Sequence, residues 1–276
     1  MYDKKLFASE TDYPLPVEIV ETDVDLYFHL ALSMYLEIEQ NKAGNRPTVL
    51  ILPVGPVFQY RRFVFLLHKR PLDLSRLHCF FMDEYLRDDL SFIEMENPLS
   101  FRGFVQRELV EAIPPGTPFR PEQVLFPDPR RPGEYDERLQ GLGGADVCFG
   151  GVGINGHLAF NEPPEEGSAM SDQEFCSLGS RVQKLSRETI AINASTALHG
   201  AYERIPKFAV TVGFRQILQS KKLRLYLNRP WQSSVVRKLL FGEKSCLFPA
   251  SLVRNHPDAR LVLTEEVARR PELGLK

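Results

Sequence analysis

The chain lacks a surplus of charge of either sign. Its 34 Lys and Arg residues nearly balance 36 Asp and Glu residues, which leaves a formal net charge of −2. Proteins that bind nucleic acid or an anionic membrane through their surface carry a basic patch instead. We therefore expect neither nucleic acid nor a membrane among the partners of this protein.

Cysteines are few, and hydrophobic runs are short. The four cysteines are widely spaced and form no CxxC pair, and Cys79 and Cys148 lie in apolar, strand-like segments, so we expect buried free thiols. No stretch approaches the ~20 consecutive apolar residues of a membrane span. The first 20 residues lack the apolar core of a signal peptide. These absences favour a cytoplasmic location.

What the chain does contain is an alternation of apolar runs and helical patterns. Residues 1–20 are interpreted as an extended arm or edge strand. Short apolar runs predict strands at 48–53, 78–82, 145–149, 182–185, 209–212, 223–227 and 260–264. Helical patterns lie between them, at 22–41, 59–69, 100–110, 134–142, 186–194 and 233–240. This order predicts one domain over residues 1–276, an α/β fold with a mainly parallel, Rossmann-like sheet in a three-layer αβα sandwich.

The segment FGGVGINGHLAFNEP, residues 149–163, is the strongest candidate for chemistry. It follows a predicted buried strand, and its glycines allow close approach of a ligand to the backbone. His157, Asn161 and Glu162 then supply an imidazole, an amide and a carboxylate, which are suited to acid–base work. Glycine-rich turns after strands are common, however, and a single histidine beside one is usually structural. The residue types alone leave both interpretations open.

A second candidate is the MDEY segment, residues 82–85. Asp83 and Glu84 come directly after a predicted strand, where open α/β sheets place their ligands. The alternative is that Asp83 caps a helix and that Glu84 lies on the surface.

Together the two segments resemble a known family. GGVGINGHLAFNEP resembles the glucosamine-6-phosphate deaminase (isomerase) signature GG-x-G-x-D-G-H-x-A-F-N-E-P, and MDEY matches the second signature of that family. The resemblance covers residues 49–264. It implies an aldose–ketose isomerisation that expels ammonia from a 2-amino sugar, with no metal and no organic cofactor. The implied partner is a small amino sugar or sugar phosphate, and the protein is a possible homo-oligomer.

The resemblance also implies roles for individual residues. Asp83 is the base near C2, His157 is the proton shuttle that opens the sugar ring, and Glu162 holds and polarises the imidazole. Asn155 stands where the family has Asp, so it carries no charge to stabilise a protonated His157, and we expect weaker ring opening or a changed proton route. The substrate-binding candidates are Gly55, Glu84, Arg102, Gly151, Gly153 and Gly156.

The expected phosphate anchors depart from the family pattern. Ser195 and Gln232 align with an Arg and a Lys of the family, and Val57 replaces a hydroxyl-bearing residue in the turn after the first long strand. Neutral groups bind phosphate more weakly than cations do. Other arginines are available as substitutes, namely Arg229, Arg61, Arg62 and Arg215.

Three functions therefore remain in competition. The first is an amino-sugar phosphate deaminase or isomerase, or a related isomerase whose substrate has a different distal group. The second is a sugar-binding regulator with reduced catalysis, which the neutral Asn155 favours and an intact Asp83 and His157 oppose. The third is a lactone hydrolase, which the MDEY and AFNEP segments disfavour.

Overall fold

Seven parallel strands form the main sheet of the computed structural model, which describes residues 1–7, 13–165, 167–272 and 274. In chain order, the strands of both sheets are β1 (Val17–Val20), β2 (Thr48–Leu52), β3 (Leu77–Phe81), β4 (Asp83–Leu86), β5 (Val124–Leu125), β6 (Val147–Gly150), β7 (Arg181–Lys184), β8 (Phe208–Thr211), β9 (Lys222–Leu227) and β10 (Ala259–Thr264). The main sheet has the order β1-β10-β9-β6-β2-β3-β5. The predicted parallel α/β sheet is confirmed.

Helices cover both faces of this sheet. They are α1 (Asp23–Ala43), α2 (Gln59–Lys69), α3 (Phe101–Val105), α4 (Gly133–Gly141), α5 (Asp172–Ser177), α6 (Arg187–Ala197), α7 (Phe214–Leu218), α8 (Gln232–Phe241) and α9 (Glu265–Ala268). A π-helical turn, Gln106–Val110, continues α3, and short 3₁₀ segments occur at Pro121–Gln123, Tyr202–Arg204 and Pro249–Asn255.

The burial of β2 shows why the fold has three layers. All five residues of this strand are buried, and successive side chains point to opposite faces. Val49 and Ile51 join a core formed with α4, α5, α7, α8 and α9. Leu50 and Leu52 join a second core formed with α1 and α2. A continuous apolar strand is typical of a parallel sheet that is covered on both sides.

The first long helix follows its sequence signals closely. The Thr22 hydroxyl accepts the Asp25 N–H at 3.3 Å, and the Asp25 carboxylate accepts the Thr22 N–H at 3.0 Å, which makes a capping box at the start of α1. Leu26, Leu30 and Met34, spaced four residues apart, are fully buried against the sheet. Burial of each such side chain contributes about 1.5–3 kcal/mol.

Three strands differ from the prediction because they form a separate sheet. β4, β8 and β7 pair antiparallel in that order, apart from the parallel sheet. The chain changes sheet at Met82, whose N–H donates to Leu52 and whose carbonyl accepts the Val212 N–H. The MDEY segment is therefore the start of a new strand rather than the loop that ends β3.

Two further segments are described only in part. The arm predicted over residues 1–20 ends in β1, which pairs with β10 at the edge of the main sheet, while residues 8–12 lie outside the described chain. The polar stretch 163–179, which follows the signature segment, contains α5. Phe175 of α5 is buried and lies edge-on to Phe214. Glu166 in this stretch is also outside the described residues.

The cysteines are free, as predicted. Cys79, Cys148 and Cys246 are buried, and Cys176 is half-buried. Burial raises the pKa of Cys79 to about 12, so its thiolate is scarce at neutral pH. Among the helices that the structure describes, none is long and apolar enough to cross a membrane.

Candidate active site

A cavity of about 280 Å³ opens at the carboxyl ends of the parallel strands. Residues 53–56 follow β2, Asp83 follows β3, residues 151–153 follow β6, and Arg229 follows β9, and all of them line it. The chain runs from β2 outward to β3 and β5, then returns to β6 on the other side of β2. Ligands of open α/β sheets bind at such a reversal of strand order.

The structure brings Asp83 and His157 to this one cavity. Asp83 is 7% exposed, and no described residue donates a hydrogen bond to its carboxylate. Burial, with a smaller contribution from the neighbouring Glu84 charge, raises the pKa of Asp83 well above its usual value. A desolvated carboxylate of this kind is a stronger base than an ordinary aspartate.

Asn155 connects His157 to Glu162. Its amide N–H donates to the Glu162 carboxylate at 2.7 Å and to the Ser186 hydroxyl at 3.1 Å. Because both partners are acceptors for the amide nitrogen, the Asn155 oxygen faces His157 Nδ1, 2.8 Å away, and accepts its proton. The neutral imidazole is thereby held with Nδ1 protonated, and Nε2 is left with a free lone pair for a ligand.

Glu162 remains an anion although it is buried. Burial alone would raise its pKa, but the neighbouring His157 imidazole, the Asn155 amide and the Thr189 hydroxyl together outweigh that effect. The pKa of Glu162 is held at about 2. Its Oε2 lies 3.6 Å from His157 Nδ1, so it stabilises positive charge on the imidazole whenever the ring takes up a proton.

Glycines on the signature loop make room for these groups. A Cβ on Gly153 would overlap the imidazole of His157, and the Gly153 N–H donates to the His157 carbonyl at 2.9 Å. Gly156 has φ +88°, and a Cβ there would meet the ring of Phe248. Gly55 and Gly151 also line the cavity, whereas Gly156 does not. Asn161 is structural, since its amide donates to the Leu158 and Val212 carbonyls.

Two further predicted substrate contacts lie outside the cavity, as Gly156 does. Glu84 is fully buried, and its carboxylate accepts the backbone N–H groups of Tyr85, Phe101 and Arg102 and the Ser100 hydroxyl. It therefore has no surface to offer a ligand and instead fixes the start of α3. The Arg102 guanidinium donates to the Ile93 carbonyl and lies over the Phe92 ring. Neither residue is in the cavity lining, because internal partners occupy both side chains.

The part of the cavity where the phosphate anchors were expected, here called the distal end, is nearly without positively charged residues. Gln232 lines it, but its oxygen accepts the N–H groups of Asn228 and Arg229 and its amide donates to the Val152 carbonyl. Ser195 is exposed on α6 and is not part of the lining. Arg61 pairs with Glu108 and Arg215 with Asp136, both away from the cavity. In the described part of the chain, Arg229 is the one positively charged residue of the lining.

A polar stripe on α6 also belongs to the site, and the sequence analysis did not identify it. Ser186 caps this helix by accepting the Thr189 N–H at 3.1 Å. The Thr189 hydroxyl lies 3.2 Å from His157 Nδ1, and the Asn193 amide donates to the Tyr85 hydroxyl at 2.9 Å. Asn193 and Thr196 both line the cavity. Thr189, Asn193 and Thr196 are spaced four and three residues apart, which places them on one helix face. That spacing is the sequence pattern from which the stripe could have been predicted.

Known proteins resemble this chain in sequence and in fold. The chain is 31% identical over 242 residues to the glucosamine-6-phosphate deaminase of Shewanella loihica, a match that covers 83% of this chain and 82% of the relative. The chain belongs to the glucosamine-6-phosphate deaminase family. The resemblance carried by the GHLAFNEP and MDEY segments is confirmed by this match. No protein-family model matches the chain.

Solved structures extend the comparison of this deaminase-family protein. A monomeric glucosamine-6-phosphate deaminase of the NagB superfamily superposes with a TM-score of 0.76 at 26% identity, over 91% of this chain and 98% of the other. A 6-phosphogluconolactonase from Thermotoga maritima superposes with a TM-score of 0.62 at 15% identity, over 90% and 98% of the two chains. The likeness to the lactonase extends to the fold alone. Among the described residues, no group of three or more His, Cys, Asp and Glu side chains is arranged to hold a metal ion.

Proposed function

We propose that this protein converts a 2-amino-2-deoxy aldose phosphate of the glucosamine 6-phosphate type into the corresponding ketose phosphate and ammonia. The observation that carries the proposal is that Asp83 and His157, far apart in sequence, line one cavity of about 280 Å³. That volume is near the small end of ligand sites, which suits a ligand of sugar size. Family membership supports the same reaction.

Ring opening is assigned to His157. In this step Nε2 takes the proton from the hydroxyl at C1 and delivers it to the ring oxygen, while the bond from C1 to that oxygen breaks and a carbonyl forms at C1. The imidazolium that forms transiently is stabilised by the Glu162 anion, whose Oε2 lies 3.6 Å from Nδ1. Asn155 supports the step by fixing the ring with Nε2 toward the ligand.

Isomerisation is assigned to Asp83. Its carboxylate removes the proton from C2, the freed electron pair forms the C1–C2 double bond, and the C1 carbonyl oxygen takes up a proton from water to give an enolamine. Asp83 then returns its proton to C1, which leaves an iminium ion at C2. Water adds to that carbon and ammonia leaves, so the products are a 2-ketose and ammonia. The isolated, buried carboxylate of Asp83 supports the role of a strengthened base.

The reduced charge at the distal end supports a second candidate, an isomerase of the same reaction type whose substrate lacks the 6-phosphate. Gln232 is neutral and internally bonded, and Ser195 does not reach the cavity. A sugar-binding regulator is the less favoured alternative, because a binder has little use for a strong base beside a tautomer-fixed histidine.

Product analysis tests the proposal. Ammonia and ketose are measured with glucosamine 6-phosphate, glucosamine and 6-phosphogluconolactone, for the native protein and for Asp83→Asn. We expect ammonia and ketose in equal amounts from an amino sugar, and a loss of about 10²–10⁴ in kcat for Asp83→Asn. Ammonia release that survives Asp83→Asn would refute the assignment of the base. Efficient turnover of glucosamine 6-phosphate would exclude the second candidate, the isomerase whose substrate lacks the 6-phosphate. Binding of the sugar without ammonia release would indicate the sugar-binding regulator.

A further inference from the structure

The positive charge of the cavity lining is carried by one arginine, Arg229. Of the described residues that line it, Asp83 carries a carboxylate, Arg229 carries a guanidinium and His157 carries an imidazole, while the remaining lining residues are neutral. A ligand that carries an anionic group therefore has one cationic partner. Such a group must lie toward Arg229 and away from Asp83.

Arg229 is free to serve as that partner. Its side chain is exposed, and it forms no ion pair or side-chain hydrogen bond with any residue that the structure describes. Two of the other candidate arginines have partners, since Arg61 pairs with Glu108 and the Arg102 guanidinium donates to the Ile93 carbonyl. A free guanidinium offers a planar fork of N–H donors that matches phosphate or carboxylate oxygens.

The backbone that carries Arg229 is fixed from both sides by Gln232. The Gln232 side-chain oxygen accepts the Arg229 N–H at 2.8 Å, and the Gln232 N–H donates to the Arg229 carbonyl at 2.8 Å. The Gln232 amide also donates to Val152 on the loop that carries the signature. The loop bearing the cation is thus tied to the loop bearing His157, which sets the distance between the reacting end and the anion-binding end.

We propose that Arg229 is the residue that selects the substrate, by binding an anionic group, phosphate or carboxylate, at the end of the sugar remote from the amino carbon. The proposal rests on the proposed function, since it concerns the same cavity. Gln232 acts through Arg229, as the residue that positions it. A single guanidinium makes the site dependent on one side chain for discrimination between charged and neutral amino sugars.

Steady-state kinetics test the proposal. The substrates are glucosamine 6-phosphate, glucosamine and 2-amino-2-deoxyglucuronate, and the variants are Arg229→Gln and Arg229→Lys. Since a hydrogen bond to a charged group is worth about 1.5–3 kcal/mol, we expect Arg229→Gln to raise KM for the anionic substrates about 10–150-fold with kcat little changed. The KM of Arg229→Lys for the anionic substrates should lie between those of the native protein and Arg229→Gln. The KM for glucosamine should be unchanged in both variants. The matched control is Arg120→Gln, an exposed arginine ahead of β5 at the opposite end of the strands.

A binding measurement separates failure of this inference from failure of the proposed reaction. Glucitol 6-phosphate has no carbonyl and cannot react, so its calorimetric affinity reports anion binding alone, with glucitol as the neutral comparison. Binding that is lost in Arg229→Gln supports the inference even if no amino sugar releases ammonia. Equal affinity for native protein and Arg229→Gln, absence of binding to the native protein, or an equal effect of the substitution on glucosamine and its 6-phosphate would each overturn it. The ratio of kcat/KM for the phosphate and the carboxylate substrate identifies the preferred anion.

Discussion

The imidazole of His157 lies against the bare Cα of Gly153, with no space between them for a side-chain carbon. The same two residues are joined by a hydrogen bond from the Gly153 N–H to the His157 carbonyl at 2.9 Å. The ring is therefore positioned by backbone on one side and by Asn155 on the other.

Substitution of Gly153 by alanine should displace the imidazole. Because the new methyl group would occupy the place of the ring, we expect a loss of about 10²–10⁴ in kcat, the range typical of a lost general acid–base group. Overpacking should also cost about 1–3 kcal/mol of the free energy of unfolding. Ammonia release and urea unfolding check the two effects. Gly141→Ala is the control, since a Cβ at Gly141 meets nothing within 4 Å. Activity of Gly153→Ala equal to that of the control would contradict the packing argument.

Asn155→Asp tests the neutral connection between Glu162 and His157. The new carboxylate would lie beside that of Glu162, where the Asn155 amide nitrogen is now 2.7 Å from Oε2, and two carboxylates so close share a proton. We expect an additional ionisation in the pH profile of ring opening. Above it, the second anion should accelerate ring opening about 3–10-fold, which corresponds to roughly 1 kcal/mol of extra imidazolium stabilisation. Exchange between the sugar anomers, followed by NMR across pH, measures this, and an unchanged rate and profile would contradict the role of Asn155.

The raised pKa of Asp83 predicts an acidic limit to isomerisation. The carboxyl must be ionised to accept a proton, and burial, followed by the Glu84 charge, raises its pKa well above the usual value. As the pH falls, activity should therefore be lost well before it reaches the range near 3.9 where an ordinary aspartate protonates. Removal of deuterium from C2 of a 2-deuterated substrate follows this step, whether the label is transferred to C1 or lost by exchange with water. His157→Asn is the control, because slower ring opening should leave the limit where it is; deuterium removal that is constant down to about pH 4 would speak against a raised pKa.

Much of the fold could be predicted because its signals are local. The continuous apolar run of β2 and the four-residue spacing of α1 are readable from neighbouring residues, and the capping box at Thr22 is too. The partners of a strand are not local. β4 and β8 have ordinary strand patterns, but nothing in those patterns predicts that the two strands pair with each other outside the main sheet.

The site was predictable to the extent that its residues lie in two contiguous segments. Asp83, His157 and Glu162 were predicted in this way, and in the structure Asp83 and His157 line one cavity. The contribution of Asn193 depends on its contact with Tyr85, 108 positions away in the chain, and the burial of Glu84 depends on N–H groups of the later α3 segment. Such contacts follow from packing, and the sequence analysis therefore could not show that the substrate-binding candidates Glu84 and Arg102 have internal partners.

Glu84→Gln should destabilise the fold rather than alter substrate affinity. The Glu84 carboxylate accepts hydrogen bonds from the Tyr85, Phe101 and Arg102 N–H groups and from the Ser100 hydroxyl, all between 2.8 and 3.0 Å. An amide keeps one acceptor oxygen and turns an NH₂ group toward donors, so buried N–H groups lose their partners, at a cost of about 2–4 kcal/mol in the free energy of unfolding. Urea unfolding measures the loss against Glu137→Gln, an exposed position on α4 where a change within about 0.5 kcal/mol is expected. If Glu84→Gln were as stable as the native protein but had a raised KM, the result would instead indicate that Glu84 binds the substrate.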